Sequence, residues 1–168
     1  MRYRQTVAQQ IVVIGPSASG KSAIGAAVAA RLEIPFLDAD DLHPPENVAQ
    51  MRSEQPLTDR QRMPWLAAVG KRIAMHPVVV MACSALTAEY RSHILSHAPE
   101  AVFVELRCDR SELARRMAQR QHFMPPALLE SQLSTWQPLT EDEPGFAVAN
   151  DGSIALTTDR IVTMLAKR

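Results

Sequence analysis

Eight consecutive residues, Gly15-Pro16-Ser17-Ala18-Ser19-Gly20-Lys21-Ser22, have the spacing of a phosphate-binding loop: Gly, four residues, then Gly-Lys-Ser. The glycines let successive backbone N–H groups turn inward around a polyphosphate, and a helix beginning at the loop adds the positive end of its dipole. In this pattern Gly15, Ser17, Ala18, Ser19, Gly20, Lys21 and Ser22 cradle the phosphates of a nucleotide. Lys21 places a point charge on the β- and γ-phosphates, and the Ser22 hydroxyl is a ligand of Mg²⁺. A glycine turn that only caps a helix is the competing reading, and the flanks speak against it. Ile11-Val12-Val13-Ile14 is β-branched and unbroken, as in a strand buried on both faces, and Ser22 to Leu32 is rich in the strong helix former Ala.

Further candidates follow the later apolar runs. Asp38-Ala39-Asp40-Asp41 follows Pro35-Phe36-Leu37, and carboxylates spaced i, i+2 on leaving a strand point the same way. Phosphoryl transfer to a hydroxyl needs one carboxylate to hold Mg²⁺ through water and one to orient the acceptor and take its proton. Asp38 suits the first role and Asp40 the second, with helix capping as the alternative for Asp40 and Asp41. The segment Gln50 to Leu66 lacks clean periodicity until its end and reads as a substrate lid, in which Arg52 and Arg62 offer bidentate binding of a carboxylate or phosphate, or are solvated surface charges. Trp65 reads as core, because Leu66, Val69 and Ile73 follow at helical spacing. Ser84 stands at the switch point beside the loop, as a substrate or Mg²⁺ contact or as a helix N-cap. Arg116 and Arg120 share a helix face, either to offset triphosphate charge or to face solvent, and His122 reads as structural.

Apolar runs alternate with helical patterns. Runs at 35–38, 78–83, 101–106 and, more weakly, 146–149 follow the first strand, and helical patterns fall near 58–75, 87–97, 110–120, 126–136 and 153–166. Such alternation implies an α/β fold, a parallel sheet with helices on both faces, and chemistry at the carboxyl ends of the strands. The 168 residues make one domain, 1–168, with residues 1–9 as a frayed lead-in. Eighteen basic and eighteen acidic side chains leave no net charge, which disfavours nucleic acid as a partner. No run is long enough to span a membrane, and two cysteines, Cys83 and Cys108, fit a reducing cytoplasm.

Together these blocks resemble the gluconate kinases, which phosphorylate D-gluconate to 6-phosphogluconate with ATP and Mg²⁺. The resemblance runs from about Ile11 to about Thr140. It is carried by the phosphate loop, Asp38 to Pro44 with Asn47 and Met51, Pro56-Leu57 with Asp59, Arg62 to Leu66, Cys83 to Leu86 with Tyr90-Arg91, and His122 to Pro125 with Ser131-Gln132. It implies a nucleoside-monophosphate-kinase-like P-loop core of about five parallel strands in three layers, a mobile lid over roughly 116–138, and a cytoplasmic homodimer. It supports Asp40 as the catalytic carboxylate beside Lys21, and Arg116 and Arg120 as lid arginines. We assign Asp40, His43, Arg52, Arg62 and Ser84 to the sugar-acid acceptor. The chain departs from the usual pattern at Gln50 (Lys), near Glu54 (Gly), at Gln61 (Asp), at Thr87 (Lys) and at Gln121, where Lys-Gly is shortened. The shared Asp-x-Asp after the second strand makes a shikimate-kinase-like enzyme for another hydroxy acid one alternative. A catalytically weakened nucleotide-binding regulator, motivated by Gln61 and Thr87, is the other.

Overall fold

The computed structural model describes residues 9–119, 125 and 127–168. Five strands, β1 (Gln10–Ile14), β2 (Phe36–Asp38), β3 (Val79–Cys83), β4 (Ala101–Arg107) and β5 (Gly145–Ala149), form one parallel sheet in the order β2-β3-β1-β4-β5. Parallel neighbours need crossovers, and helices supply them: α1 (Lys21–Leu32), α2 (Pro45–Arg52), α3 (Asp59–Ala74), α4 (Ala88–His97), α5 (Arg110–Gln119), α6 (Ala127–Thr135) and α7 (Ile154–Leu165).

Because side chains alternate across a strand, β1 divides its four fully buried residues between two cores. Val12 and Ile14 pack with Trp65, Leu66, Ile73 and Phe103, under α3 and α4. Ile11 and Val13 pack with Ile24, Val28, Ile161 and Leu165, under α1 and α7. Each fully buried branched or aromatic side chain contributes about 1.5–3 kcal/mol, so the strand that launches the phosphate loop is anchored from both faces of the sheet. A third apolar group, Ala18, Met51, Leu57, Leu113, Met117, Leu128 and Leu129, joins the loop to α2, α5 and α6 at the carboxyl edge.

The strands and the five expected helices form at or close to the expected bounds. The stretch 50–66, read as a lid segment without clean periodicity, is regular over much of its length. It comprises the end of α2, a short link and the start of α3. Pro45 begins α2 at a position where proline is preorganised, and only Asn47 and Met51 are buried, so α2 left no apolar stripe to read. Gln9, expected to fray, accepts from Val79 N–H at 3.2 Å and joins the sheet, while residues 1–8 lie outside the described residues.

Candidate active site

The phosphate loop is held from outside by residues far away in sequence. Gly20 precedes α1 with φ 93°, and a Cβ there would lie 2.8 Å from Asn150 Nδ2 and 3.6 Å from an Arg116 guanidinium nitrogen, so glycine is required both by conformation and by space. Ala18 also takes a left-handed conformation, φ 64°. Asn150 is buried; its Nδ2 donates to Ser19 O at 2.7 Å and its Oδ1 accepts from Thr157 Oγ1 at 2.9 Å. Lys21 Nζ reaches across the loop to Pro16 O at 3.0 Å. Ser17 N–H donates to Gln132 Oε1 at 2.7 Å, tying the loop to α6. The sequence pointed to neither Asn150 nor the role of Gln132. Asn150 does stand directly after β5, where the strand-end rule directs attention, but β5 was the weakest apolar run.

Ser22 and Asp38, the two residues assigned to the metal, lie together. Ser22 Oγ donates to Asp38 Oδ2 at 2.5 Å, and Asp38 Oδ1 accepts from Asp40 N–H at 3.0 Å. The reason offered for Asp38 and Asp40 sharing a side is corrected: Asp38 ends β2, and Asp40 lies in a 3-10 turn, Ala39–Leu42, so strand alternation does not relate them. The cap is also reassigned. Asp38 caps the turn, and Pro44 precedes α2, so neither Asp40 nor Asp41 is the helix cap.

Beyond the turn, the His43 ring stacks on Trp65, centroids 4.0 Å apart and planes 13° from parallel. Burial, then the nearby Arg62 charge, lowers the His43 pKa to about 4, so its ring is neutral at pH 7. Trp65 is core as expected, yet its Nε1–H donates to Ala39 O at 2.8 Å. Arg62, half-buried, donates to Tyr90 Oη at 3.2 Å and to Leu57 O at 3.4 Å, while Tyr90 Oη donates to Asp59. Arg52 is exposed at the end of α2 and outside this hydrogen-bonded set.

Ser84 is half-buried between fully buried Cys83 and Ala85, whose φ is 38°. Ser84 does not cap α4. Thr87 does, its side chain accepting from Tyr90 N–H at 3.1 Å. The strained Ala85 carbonyl accepts at 3.1 Å from Arg91, which is fully buried, and Arg91 also binds Gln137 O at 2.9 Å and both carboxylate oxygens of Glu143. Leu139 N–H donates to buried Glu105 at 2.8 Å. The segment after α6 is thus stapled to β4 and α4.

On the other flank Arg116 lies over the loop beside Gly20, its Nε donating to Glu112 at 2.7 Å. Hydrogen bonds from Arg115, then Arg116, hold the Glu112 carboxyl down to about 2. Arg120 and His122 lie outside the described residues. A cleft of about 660 Å³ opens beside Pro16, bounded by Arg107, Cys108, Glu112, Trp136 and Asn150. Asp38, Asp40, His43 and Arg62 do not line it. The strand order explains this separation. Asp38 and Asp40 follow β2, Ser84 follows β3, the phosphate loop follows central β1, and the cleft forms beyond β4 and β5. One side of the loop carries carboxylates, a neutral imidazole and an arginine, and the other an open cleft of nucleoside size.

Fold and site define a P-loop kinase of small molecules. The shikimate kinase family profile matches residues 17–152, and the crystal structure of a shikimate kinase from Bacteroides thetaiotaomicron shares the fold, with a TM-score of 0.71 at 16% identity over 93% of this chain and 97% of that one. The crystal structure of a gluconokinase from Sinorhizobium meliloti 1021 matches with a TM-score of 0.88 at 41% identity, covering 97% and 94%. A gluconokinase from Gluconobacter oxydans is 38% identical over 146 residues, 84% of this chain and 82% of that protein. The chain belongs to the gluconokinase family.

Proposed function

We propose that the protein transfers the γ-phosphoryl group of ATP to a hydroxyl of D-gluconate, giving 6-phosphogluconate and ADP. The observation that carries this reading is the placement of Asp40, Arg62 and the His43 ring on the β2 and β3 side of the phosphate loop, opposite the open cleft. A sugar acid offers hydroxyls and one carboxylate. Arg62, preset by Tyr90 and Leu57, suits the carboxylate; neutral His43 and Ser84 suit hydroxyls. Asp40 orients the acceptor oxygen and takes its proton as the oxygen attacks phosphorus and the bond to ADP breaks. Lys21, Arg116 and Arg120 offset charge on the transferring group.

Ser22 and Asp38 present hard oxygen donors 2.5 Å apart, a set that fits Mg²⁺, which takes few protein ligands and completes its shell with water and phosphate oxygens. When bound, the ion neutralises charge on the β- and γ-phosphates. Among the described residues no group of three metal-binding side chains competes for it. The weakened-regulator alternative loses its motive, because Thr87 caps α4 and Gln61 pairs with Gln50 through two amide hydrogen bonds of 2.5 and 3.2 Å. The 116–138 lid, the homodimer and the cytoplasmic setting remain part of the proposal, resting on the family resemblance; light scattering of the purified protein decides the dimer.

The test is an ADP-release assay across gluconate, other aldonates, shikimate and nucleoside monophosphates. We expect gluconate to give the highest kcat/KM; preference for shikimate overturns the acceptor assignment. Asp40→Asn lowers turnover while leaving binding of a non-hydrolysable ATP analogue unchanged, and loss of nucleotide affinity instead reverses the assigned sides.

A further inference from the structure

We propose that Trp65 is a positioning residue for catalysis: its indole N–H fixes the peptide between Ala39 and Asp40, and thereby the direction in which Asp40 faces the acceptor. This rests on the reading of Asp40 as the acceptor-side carboxylate. The peptide is gripped at both ends. Its C=O accepts from Trp65 Nε1–H at 2.8 Å, and its N–H donates to Asp38 Oδ1 at 3.0 Å. A planar peptide held at oxygen and nitrogen has lost its freedom to rotate as a unit, so the Cα of Asp40 is set by two side chains. Asp38 in turn holds Ser22 Oγ at 2.5 Å. One chain of hydrogen bonds therefore runs from Ser22, at the head of α1, through Asp38 and the peptide to Trp65 on α3. It links the phosphate-side oxygens to the acceptor side without passing through either substrate.

The same indole serves a second contact. Its face carries the His43 ring at 4.0 Å, so a rotation of Trp65 displaces the Asp40 turn and the imidazole together. Trp65 can hold this position because it is 4% exposed and packed among Leu66, Val69 and the β1 and β3 side chains of the same core. Core membership and site positioning are one role here. The core keeps the ring still, and the ring's edge transmits that stillness to the turn.

Two substitutions test this. Trp65→Phe removes the N–H and keeps an aromatic face, and 3-benzothienylalanine placed at position 65 alone keeps the shape and replaces the N–H with sulfur. We expect kcat to fall roughly ten-fold in both, by misalignment of a catalytic group, with the Kd for a non-hydrolysable ATP analogue within about two-fold of the parent. In an Asp40→Asn background the Trp65 changes should alter the residual rate by less than about two-fold, because the group being positioned has gone. An unchanged kcat in the benzothienylalanine variant overturns the proposal, and so does an equal fold-loss in the two backgrounds, which a merely structural role produces. If Trp65→Phe does not fold, the isosteric variant still decides. Failure of the acceptor reading looks different: Asp40→Asn alone then leaves turnover intact.

Discussion

Arg91→Met removes a guanidinium that is fully buried and bonded to both oxygens of Glu143, whose side chain is 14% exposed. It also strips partners from the carbonyls of Ala85, Gln137 and Pro138. Removing one member of a buried ion pair costs about 3–5 kcal/mol, mostly through the charge left behind, which for a chain of this length lowers Tm by roughly 6–20 °C. Glu143 adds a pH signature. Burial by itself raises its pKa, but hydrogen bonds from Arg91 and Thr140 outweigh that and hold it below the usual glutamate range. A depressed folded-state pKa gives stability that is present above the unfolded value and is lost as pH falls through the folded one. Wild type should therefore lose this contribution on acidification from about pH 4.5 downward, and Arg91→Met should not. Adding Glu143→Leu should recover only part of the loss, because the three carbonyls stay unpaired. Urea unfolding at pH 7 and pH 4 measures both effects. A loss below about 1 kcal/mol, the range of an exposed pair, refutes the account.

Asn150→Ala should raise the KM for ATP several-fold with the KM for gluconate little changed, since Asn150 touches the phosphate loop at Ser19 O and not the acceptor side; steady-state kinetics with each substrate varied read this. The His43 imidazole should not titrate between pH 6 and 8 by NMR, because its pKa is lowered to about 4, and its contribution to stability should fall as pH drops from about 6.5 toward 4, where the unfolded state binds the proton and the folded state does not. Glu54→Gly should be neutral to stabilising by up to about 1 kcal/mol, because Glu54 sits at φ 62°, where a side chain is strained. Gln50→Lys and Gln61→Asp should each destabilise singly and couple favourably by about 0.5–1 kcal/mol as a pair in a double-mutant cycle, since the two amides bond each other.

Where chemistry and periodicity coincide, the sequence alone reveals the site. The phosphate loop between Ile14 and the alanine-rich α1 is the clearest case, because glycine spacing, a β-branched run and a helical run each carry their own signal. Asp38 was picked out differently, by its place at the end of the second apolar run and by the need of phosphoryl transfer for a carboxylate there. What stayed hidden has physical causes. Asn150 acts through a backbone oxygen more than a hundred residues earlier, and no local pattern encodes such a contact. Trp65 gave its burial away through Leu66, Val69 and Ile73, while its N–H bond to Ala39 depends on how α3 crosses the turn. The helix α2 buries only two side chains and so lacks an apolar period. The departures at Glu54, Gln61 and Thr87 looked like losses in one dimension. In three, Gln61 and Thr87 are local solutions, one an amide pair that also forms a capping box and the other a helix cap.

The strand order has a consequence for how the chain leaves the ribosome. β1 is made first, yet it lies at the centre of the sheet, paired on one edge with β3 and on the other with β4. Until Ala101–Arg107 has emerged, Ile11–Ile14 keeps at least one unpaired edge, and such an apolar, β-branched segment is prone to pair with another chain. During synthesis α1 can cover only one of its faces, the one bearing Ile11 and Val13. The face of Val12 and Ile14 waits for α3 and α4. A nascent chain halted just after β3 therefore carries its phosphate loop on a half-paired strand. Chains stalled there should aggregate or recruit chaperones, whereas chains extended past β4 should not.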